Sequence, residues 1–554
     1  MTITQPPEAH SNATVHGSSA MLSSIPEPAD AEVRAALKRG SVGDAFTAAI
    51  DAAELDIAVE VLRIGWFELI EDSHRDRLRE TLERLTTAEL MSRPLLAMAL
   101  GLAYNGDGFR RAKAAYFFGL AATGVRRNRH RIGPAERAMV LAGESAALRL
   151  MGKTSSSVAS AQAGLRALDD IRDEPSFLAG HLPRILTQLG MSLYYGGHES
   201  EALHVFTRGY AEAGPSDPSS FGSLAMVAGI HALAGNLNEA GEHVLLACGD
   251  PWTDDQRSAH VGTFYRLAEA ILALERFDTP VARAHLAAMR HDRRTVEHWV
   301  AIAHVEALTA FLEGNPSDGL AALEEFVVLR GPDGRSRFAR QTLTSIQSLL
   351  HIALGNFDAA ATVLRADAPH APQSRVDRAR LALAIGRSSE ALKELRSIAG
   401  HPQSARTRAE ALSIEAAVGL RTGLGRRTSA VLQQLIAVLR RSGQRIAPHL
   451  LPQDDFDAVC AGLEQAGARD LLRVRAPRPL VPIPERPKLT PRELAVLQAL
   501  ARTSALSDIA AELFVSTNTV KTHLKSLYRK LDARNREEAL TVALHGHLIS
   551  GLND

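Results

Sequence analysis

Between about Ala31 and Leu472 the chain alternates Ala- and Leu-rich stretches at helical spacing with short polar breaks, and the breaks recur. An apolar helix runs into Gly, a few polar residues follow, and a second apolar-striped segment starts. The clearest copies are Tyr195-Gly196-Gly197-His198-Glu199-Ser200-Glu201-Ala202, Ala234-Gly235-Asn236-Leu237-Asn238-Glu239-Ala240, Glu313-Gly314-Asn315-Pro316-Ser317-Asp318 and Leu354-Gly355-Asn356-Phe357-Asp358-Ala359. Weaker ones are Ile385-Gly386-Arg387-Ser388, Asn105-Gly106-Asp107-Gly108-Phe109 and Glu275-Arg276-Phe277-Asp278. Gly suits the left-handed conformation that ends a helix, and the Asn, Ser or Asp after it is expected to cap the next one. The interval of roughly 40 residues is that of two-helix repeats, slightly longer than the tetratricopeptide period. One such hairpin cannot bury its apolar face alone, so neighbours are expected to stack. The pattern predicts an all-α chain with a tetratricopeptide-like helical-repeat solenoid over 29–472.

Two stretches lack this pattern. Residues 1–28, rich in Ser, Pro and Thr, read as a disordered tail; with neither a basic start nor an apolar core they are no secretory signal. Residues 473–488, RVRAPRPLVPIPERPK, carry Pro477, Pro479, Pro482, Pro484 and Pro487 and read as a stiff, extended Pro-rich linker. A separate module is expected over 489–554.

That module is densely punctuated. Thr490 stands where an N-cap belongs, Pro491 at the first helical position and Glu493 at the third, the arrangement of a capping box, with Leu489 and Leu494 as its hydrophobic staple. Ser516 repeats the grammar, Val515 stapling to Val520, and a third start lies at Asn535-Arg536-Glu537-Glu538. After Ser516, Val520, Leu524, Leu527 and Leu531 fall on one helical stripe. Asn518, Lys521, Thr522, Lys525 and Arg529 fall on the opposite one, and none is acidic. A helix with one apolar and one cationic, hydrogen-bonding face can lie in a DNA major groove, its lysines reaching base edges. The stretch from Leu506 to Phe514 is the expected scaffold helix, and Val515-Ser516 the turn.

The run STNTVKTHLKSLYRKL, 516–531, within a match from Leu489 to Ile549, resembles the C-terminal output domain of LuxR-type transcription regulators. The likeness implies a small four-helix, helix-turn-helix fold. It places Lys521, Thr522 and Lys525 toward bases, and Ser516, Thr517, Asn518, Thr519 and Arg529 toward backbone phosphate. His523 matches a common family histidine, read as structural or near a phosphate. The last helix, from Asn535 to Gly546, is the expected dimer contact. One departure shows: many members have Gly between the first two helices, where this chain has Arg502-Thr503-Ser504. More loosely, Trp66-Phe67-Glu68-Leu69, Leu82 to Leu90 and Arg93-Pro94-Leu95-Leu96 resemble the sensor region of large ATP-dependent LuxR-type activators, whose nucleotide switch is expected to be missing here.

Charge agrees with the module's assignment. The whole chain carries 63 basic and 63 acidic residues, so no global field draws it to polyanions. Segment 488–550 holds nine basic against six acidic residues, and four of the chain's eight lysines lie between 488 and 530. With few contacts per domain, binding to paired sites by a homodimer is expected. Cys248 and Cys460 stand far apart without partners at metal-ligand spacing, which argues against disulfides and zinc and for a reducing compartment.

Other motifs read as ordinary. Met151-Gly152-Lys153-Thr154 ends like a phosphate loop, but Ala147 stands where the motif needs its first glycine and no strand precedes it, so an inter-helix turn is expected. His198, Glu199 and His204 lack H-E-x-x-H spacing and read as surface residues. Tyr116, Phe117, Tyr194, Tyr195 and Trp299 read as core rather than a ligand pocket. No nucleophile, base or metal constellation can be named, so neither enzyme activity nor a cofactor is expected. The sequence thus suggests a cytoplasmic, nucleoid-associated DNA-binding transcription regulator, an activator by resemblance. Its partners would be double-stranded DNA, RNA polymerase and a small molecule or protein on the repeats, with no membrane association. The competing reading is a repeat scaffold with a vestigial DNA-binding module.

Overall fold

The computed structural model describes residues 30–472 and 489–545, together with residue 25. Within these spans it excludes 71–74, 106–110, 129, 172–181, 214–217, 250–251, 290–296, 332, 367–370, 424, 532 and 534. The linker expected at 473–488 and nearly all of the tail expected at 1–28 therefore lie outside the described residues, as does Gly546. Every regular element among the described residues is a helix, so the chain is all-α. None of these helices is long and apolar enough to cross a membrane.

Two compact units divide the chain: Met1–Val227 with Leu245–Tyr265, and Ala228–Val244 with Arg266–Asp554. In the first, paired helices include Pro134–Leu150 with Thr154–Asp169, and Leu182–Tyr195 with Glu199–Ala213. Gly152, at φ 70°, turns the chain between the first of these pairs, as the sequence suggested for Met151–Thr154. His198, Glu199 and His204 are exposed.

The second unit continues the hairpins with Trp299–Leu312 and Pro316–Leu329, Arg337–Ala353 and Phe357–Arg365, Pro372–Ala384 and Ser388–Arg396, and Ala405–Thr422 and Gly425–Ser442. The leading helix of a hairpin is buried nearly all round, as from Trp299 to Leu312, whereas the trailing helix keeps a wet face. Trp299 belongs to this core, while Tyr116, grouped with it from the sequence, is 56% exposed.

The turns depart from expectation in one respect. Gly235, Gly314, Gly355 and Gly386 do adopt the left-handed conformation, but Asn315 and Asn356 make no side-chain cap. Their backbone amides instead reach back, Asn315 N–H to Ala310 O at 2.9 Å and Asn356 N–H to His351 O at 2.8 Å. Each closes the helix behind it as the second residue of a Schellman motif and still opens the one ahead as its N-cap through the backbone, Asn315 O accepting the Gly319 amide at 3.1 Å and Asn356 O the Ala360 amide at 3.0 Å. Arg387 N–H does the same to Ala382 O at 2.7 Å, which explains why Arg serves where Asn recurs.

Polar residues link the leading helices. Arg380 Nη1 donates to Asp377 at 2.7 Å and Nη2 to Glu410 at 2.5 Å, with all three side chains buried. Gln373 Nε2 donates to both carboxylates, Ser345 Oγ donates to Asp377 at 3.0 Å, and Thr407 Oγ1 donates to Gln373 Oε1 at 2.7 Å. The network ties three successive hairpins, and a slip of one helix along another would strand a buried charge.

A second network closes this unit on itself. Arg406 donates to the carbonyls of Ala232 and Leu233 at 3.0 Å each and to Glu275 at 3.3 Å. The other oxygen of Glu275 accepts the amides of Arg445 and Ile446 at 2.6 and 2.9 Å. Gly235 is required here twice over: its φ is +84°, and a Cβ would stand 2.8 Å from the Arg406 nitrogen.

Candidate nucleic-acid interface

The C-terminal module comprises helices Pro491–Arg502, Leu506–Glu512, Thr517–Leu531 and Arg536–His545. Its core joins Val496, Leu497, Leu500, Ile509, Val520, Leu524, Leu527, Leu531, Ala539 and Ala543. Thus the stripe read after Ser516 is the buried face of its helix. The three starts are also formed as read. Thr490 and Glu493 close a reciprocal capping box, Ser516 Oγ accepts the Thr519 amide at 3.1 Å, and Asn535 Oδ1 accepts the Glu538 amide at 2.8 Å. Arg536 donates twice to Leu500 O, seating the last helix against the first.

One boundary differs from the sequence reading. The scaffold helix stops at Glu512 rather than Phe514, because Phe514 takes φ 54° and ends it. The missing glycine after the first helix is immaterial: Thr503 is extended (φ −139°, ψ 152°), a conformation open to any residue, and its hydroxyl accepts the Ala505 amide.

Opposite the core stripe, Asn518, Lys521, Thr522, Lys525 and Arg529 are exposed along the Thr517–Leu531 helix. At 100° per residue these positions lie roughly across the helix from Val520, Leu524, Leu527 and Leu531. No described residue pairs with Lys521, Lys525 or Arg529, so three cations stand free on one face. Ser516 and Thr517 are exposed at its N-terminus, where backbone amides and the helix dipole favour an anion. Thr519 is half-buried and its hydroxyl is 2.8 Å from that of Ser516; the Thr522 hydroxyl donates to Asn518 O at 3.0 Å. Both can still accept one more hydrogen bond. His523 is half-buried between the two faces.

Three other basic residues of the segment, Arg502, Lys530 and Arg536, are already used. Arg502 pairs with Glu512, and Lys530 with Glu493 at 2.7 Å, so Lys530 belongs to the module's internal bracing although it enters the charge surplus. Glu493 was read from the sequence as a capping residue alone, and it does more. It is 4% exposed, and accepts from Lys530, from Ser526 Oγ at 2.8 Å and from the Thr490 amide at 2.7 Å. This ties the first helix to the C-terminal half of the cationic one, across 33 positions at Ser526 and 37 at Lys530. The Lys530 ammonium, chiefly, holds the Glu493 carboxyl down at about 2, from an ordinary 4.5.

Glu493→Gln should therefore lower the module's stability by about 1.5–3 kcal/mol, the range for a hydrogen bond to a charged group. Hydrogen exchange of amides in 491–531 measures it. Because the folded-state value is depressed, the wild-type advantage is present above pH 4.5 and fades as pH falls toward 2. An advantage independent of pH between 3 and 7 would contradict the ionic brace.

A short scaffold helix, a tight turn and a capped helix with a free cationic face define a helix-turn-helix module. Residues 487–543 match the family described as bacterial regulatory proteins, luxR family, and this C-terminal domain is a LuxR-type helix-turn-helix domain. The chain is 39% identical over 62 residues to the transcriptional regulatory protein LiaR of Bacillus subtilis, covering 11% of this chain and 29% of that one. It is 41% identical over 66 residues to the probable transcriptional regulatory protein NarL of Mycobacterium tuberculosis, covering 12% and 31%. With the probable transcriptional regulatory protein SgaR of Hyphomicrobium methylovorum it shares 53% over 57 residues, covering 10% and 26%. The chain thus spans less than a third of the length of these curated relatives. A solved structure titled "Structure of Naa15/Naa10 bound to HypK-THB" aligns over 93% of the chain at a TM-score of 0.21 and 14% identity, too slight a likeness to assign a fold.

Proposed function

We propose that the protein is a sequence-specific DNA-binding transcription regulator acting by binding rather than catalysis. The observation that carries this reading is the face of Lys521, Lys525 and Arg529, exposed and unpaired beside a capped N-terminus, while neighbouring cations brace the fold. Lys521, Thr522 and Lys525 reach base edges; Ser516, Thr517, Asn518, Thr519 and Arg529 hold phosphates. Two copies dock on paired half-sites through the last helix of each module. The repeats receive a small molecule or protein signal and alter the exposure or pairing of the modules. RNA polymerase is the downstream partner of an activator of this kind, working in the cytoplasm on the nucleoid.

The test is selection of the full chain on a randomised 30-base-pair duplex pool, followed by affinity measurements across salt concentrations. The reading expects a short, two-fold-related motif to enrich, bound more tightly than the starting pool and with a steep salt dependence. Failure to enrich any duplex, with the chain folded, would overturn it.

A further inference from the structure

We propose that Phe514 is a duplex contact, its ring packing on the sugar edge of the DNA backbone beside the phosphate at the start of the Thr517–Leu531 helix. This rests on the DNA-binding reading above and adds to it an apolar contact among polar ones.

Among the described residues, Ala53, Phe277 and Phe514 are the non-glycine positions at positive φ. At Phe514 the bonds are those of a Schellman motif, Val515 N–H to Ala510 O at 3.0 Å and Phe514 N–H to Ala511 O at 3.3 Å. At repeat turns such as Gly235, Gly314, Gly355 and Gly386 glycine fills this position, because an L side chain is disfavoured there. An aromatic at such a place calls for a compensating contact.

Phe277 shows what that contact is. It holds the same conformation, φ 58°, and its ring centroid lies 4.5 Å from that of His449, which lies 4.5 Å from that of Phe456. The left-handed turn projects the ring as a wedge into a sequence-distant segment. Phe514 repeats the backbone, yet it is 94% exposed and no described residue partners it.

Its surroundings select the occupant. Leu513 and Val515 on either side turn into the module's core, so the ring stands as a single apolar group rather than part of a patch. A protein partner is recognised through a contiguous apolar centre, which is missing from this turn. What surrounds Phe514 is polar: Ser516 two positions on, then exposed Thr517, Asn518 and Lys521. One ring at the rim of a phosphate-binding surface matches a duplex backbone, whose deoxyribose carbons and base faces offer apolar area between charges.

Phe514→Asn and Phe514→Gly separate contact from folding, since both residues accept the left-handed conformation. In the full chain, either should keep or raise the melting temperature while weakening affinity for the selected duplex by roughly ten- to a hundred-fold, the worth of burying most of one aromatic side chain. The salt slope should stay unchanged, because no phosphate contact is lost, and Phe514→Tyr should retain most affinity. Wild-type affinity in Phe514→Asn, with Lys521→Ala still impaired, overturns this inference and leaves the DNA-binding reading intact. Loss of self-association with unchanged affinity per module would also overturn it, assigning the ring to a protein contact. A wild-type chain with no duplex affinity sinks both.

Discussion

Replacing Lys521 and Lys525 together by alanine should weaken binding to the selected duplex by roughly thirty- to twenty-thousand-fold, taking about 1–3 kcal/mol per base contact. The fold should not change, because both side chains are exposed and no described residue pairs with them. The lost contacts should also flatten preference, so that the variant discriminates poorly between the selected duplex and the random pool. Arg529→Ala serves as the contrasting control. As a phosphate contact it should weaken every duplex alike and lower the salt slope by about one, without relaxing sequence preference. Anisotropy titrations at several salt concentrations read all three quantities. Unchanged affinity in the double variant, its circular dichroism matching wild type, would remove Lys521 and Lys525 from the interface.

The second large effect is expected in the repeats. Arg380→Ala should destabilise the repeats by about 3–5 kcal/mol, since it leaves Asp377 and Glu410 buried without their shared counter-charge. Asp377→Asn should behave differently. Two carboxylates face one guanidinium, and burial, outweighing the pull of Arg380, lifts Asp377 to about 6 from an ordinary 3.8. A raised carboxyl favours the folded state most below pH 3.8, and that contribution is lost as pH rises through about 6. The asparagine variant has no proton to lose, so its stability relative to wild type should improve from pH 4 to pH 6 and level off above. Urea unfolding across that range measures the difference. Equal damage from Arg380→Ala and Asp377→Asn at pH 8 would refute the charge imbalance.

What could be read from the sequence follows from how local each signal is. The Thr490 and Glu493 box, the Ser516 cap and the Val520-to-Leu531 stripe involve neighbours within one or two turns, and spacing alone reveals them. The recurrent glycines announced the hairpins for the same reason. Asn315 and Asn356 hold the N-cap position expected of them but make no side-chain cap, because in so short a turn one residue is both the N-cap and the second residue of a Schellman motif. Arg387 at the equivalent place was the available hint that a backbone amide, common to all residues, does the closing.

Longer-range features left no such trace. Lys530 differs from Lys525 only by its angle around a helix, and its use by Glu493 depends on how two helices cross. Nothing local marks Arg380, Asp377 and Glu410 as buried, since a polar residue among alanines is indistinguishable from a solvent-facing one until the neighbouring hairpin covers it. Phe514 passed as the end of a helix because aromatic residues rarely take a left-handed backbone.

The closure of the second unit bears on how the chain is made. Glu275 finds its partners at Arg445 and Ile446 only 170 positions later. At about 5–20 residues per second the early hairpins would wait on the order of ten to thirty seconds for them. Until then Glu275, Gly235 and the carbonyls that Arg406 will cover face solvent or the translation machinery. A nascent polypeptide halted short of residue 446 would display an open end, and factors that shield emerging chains would have their longest opportunity there.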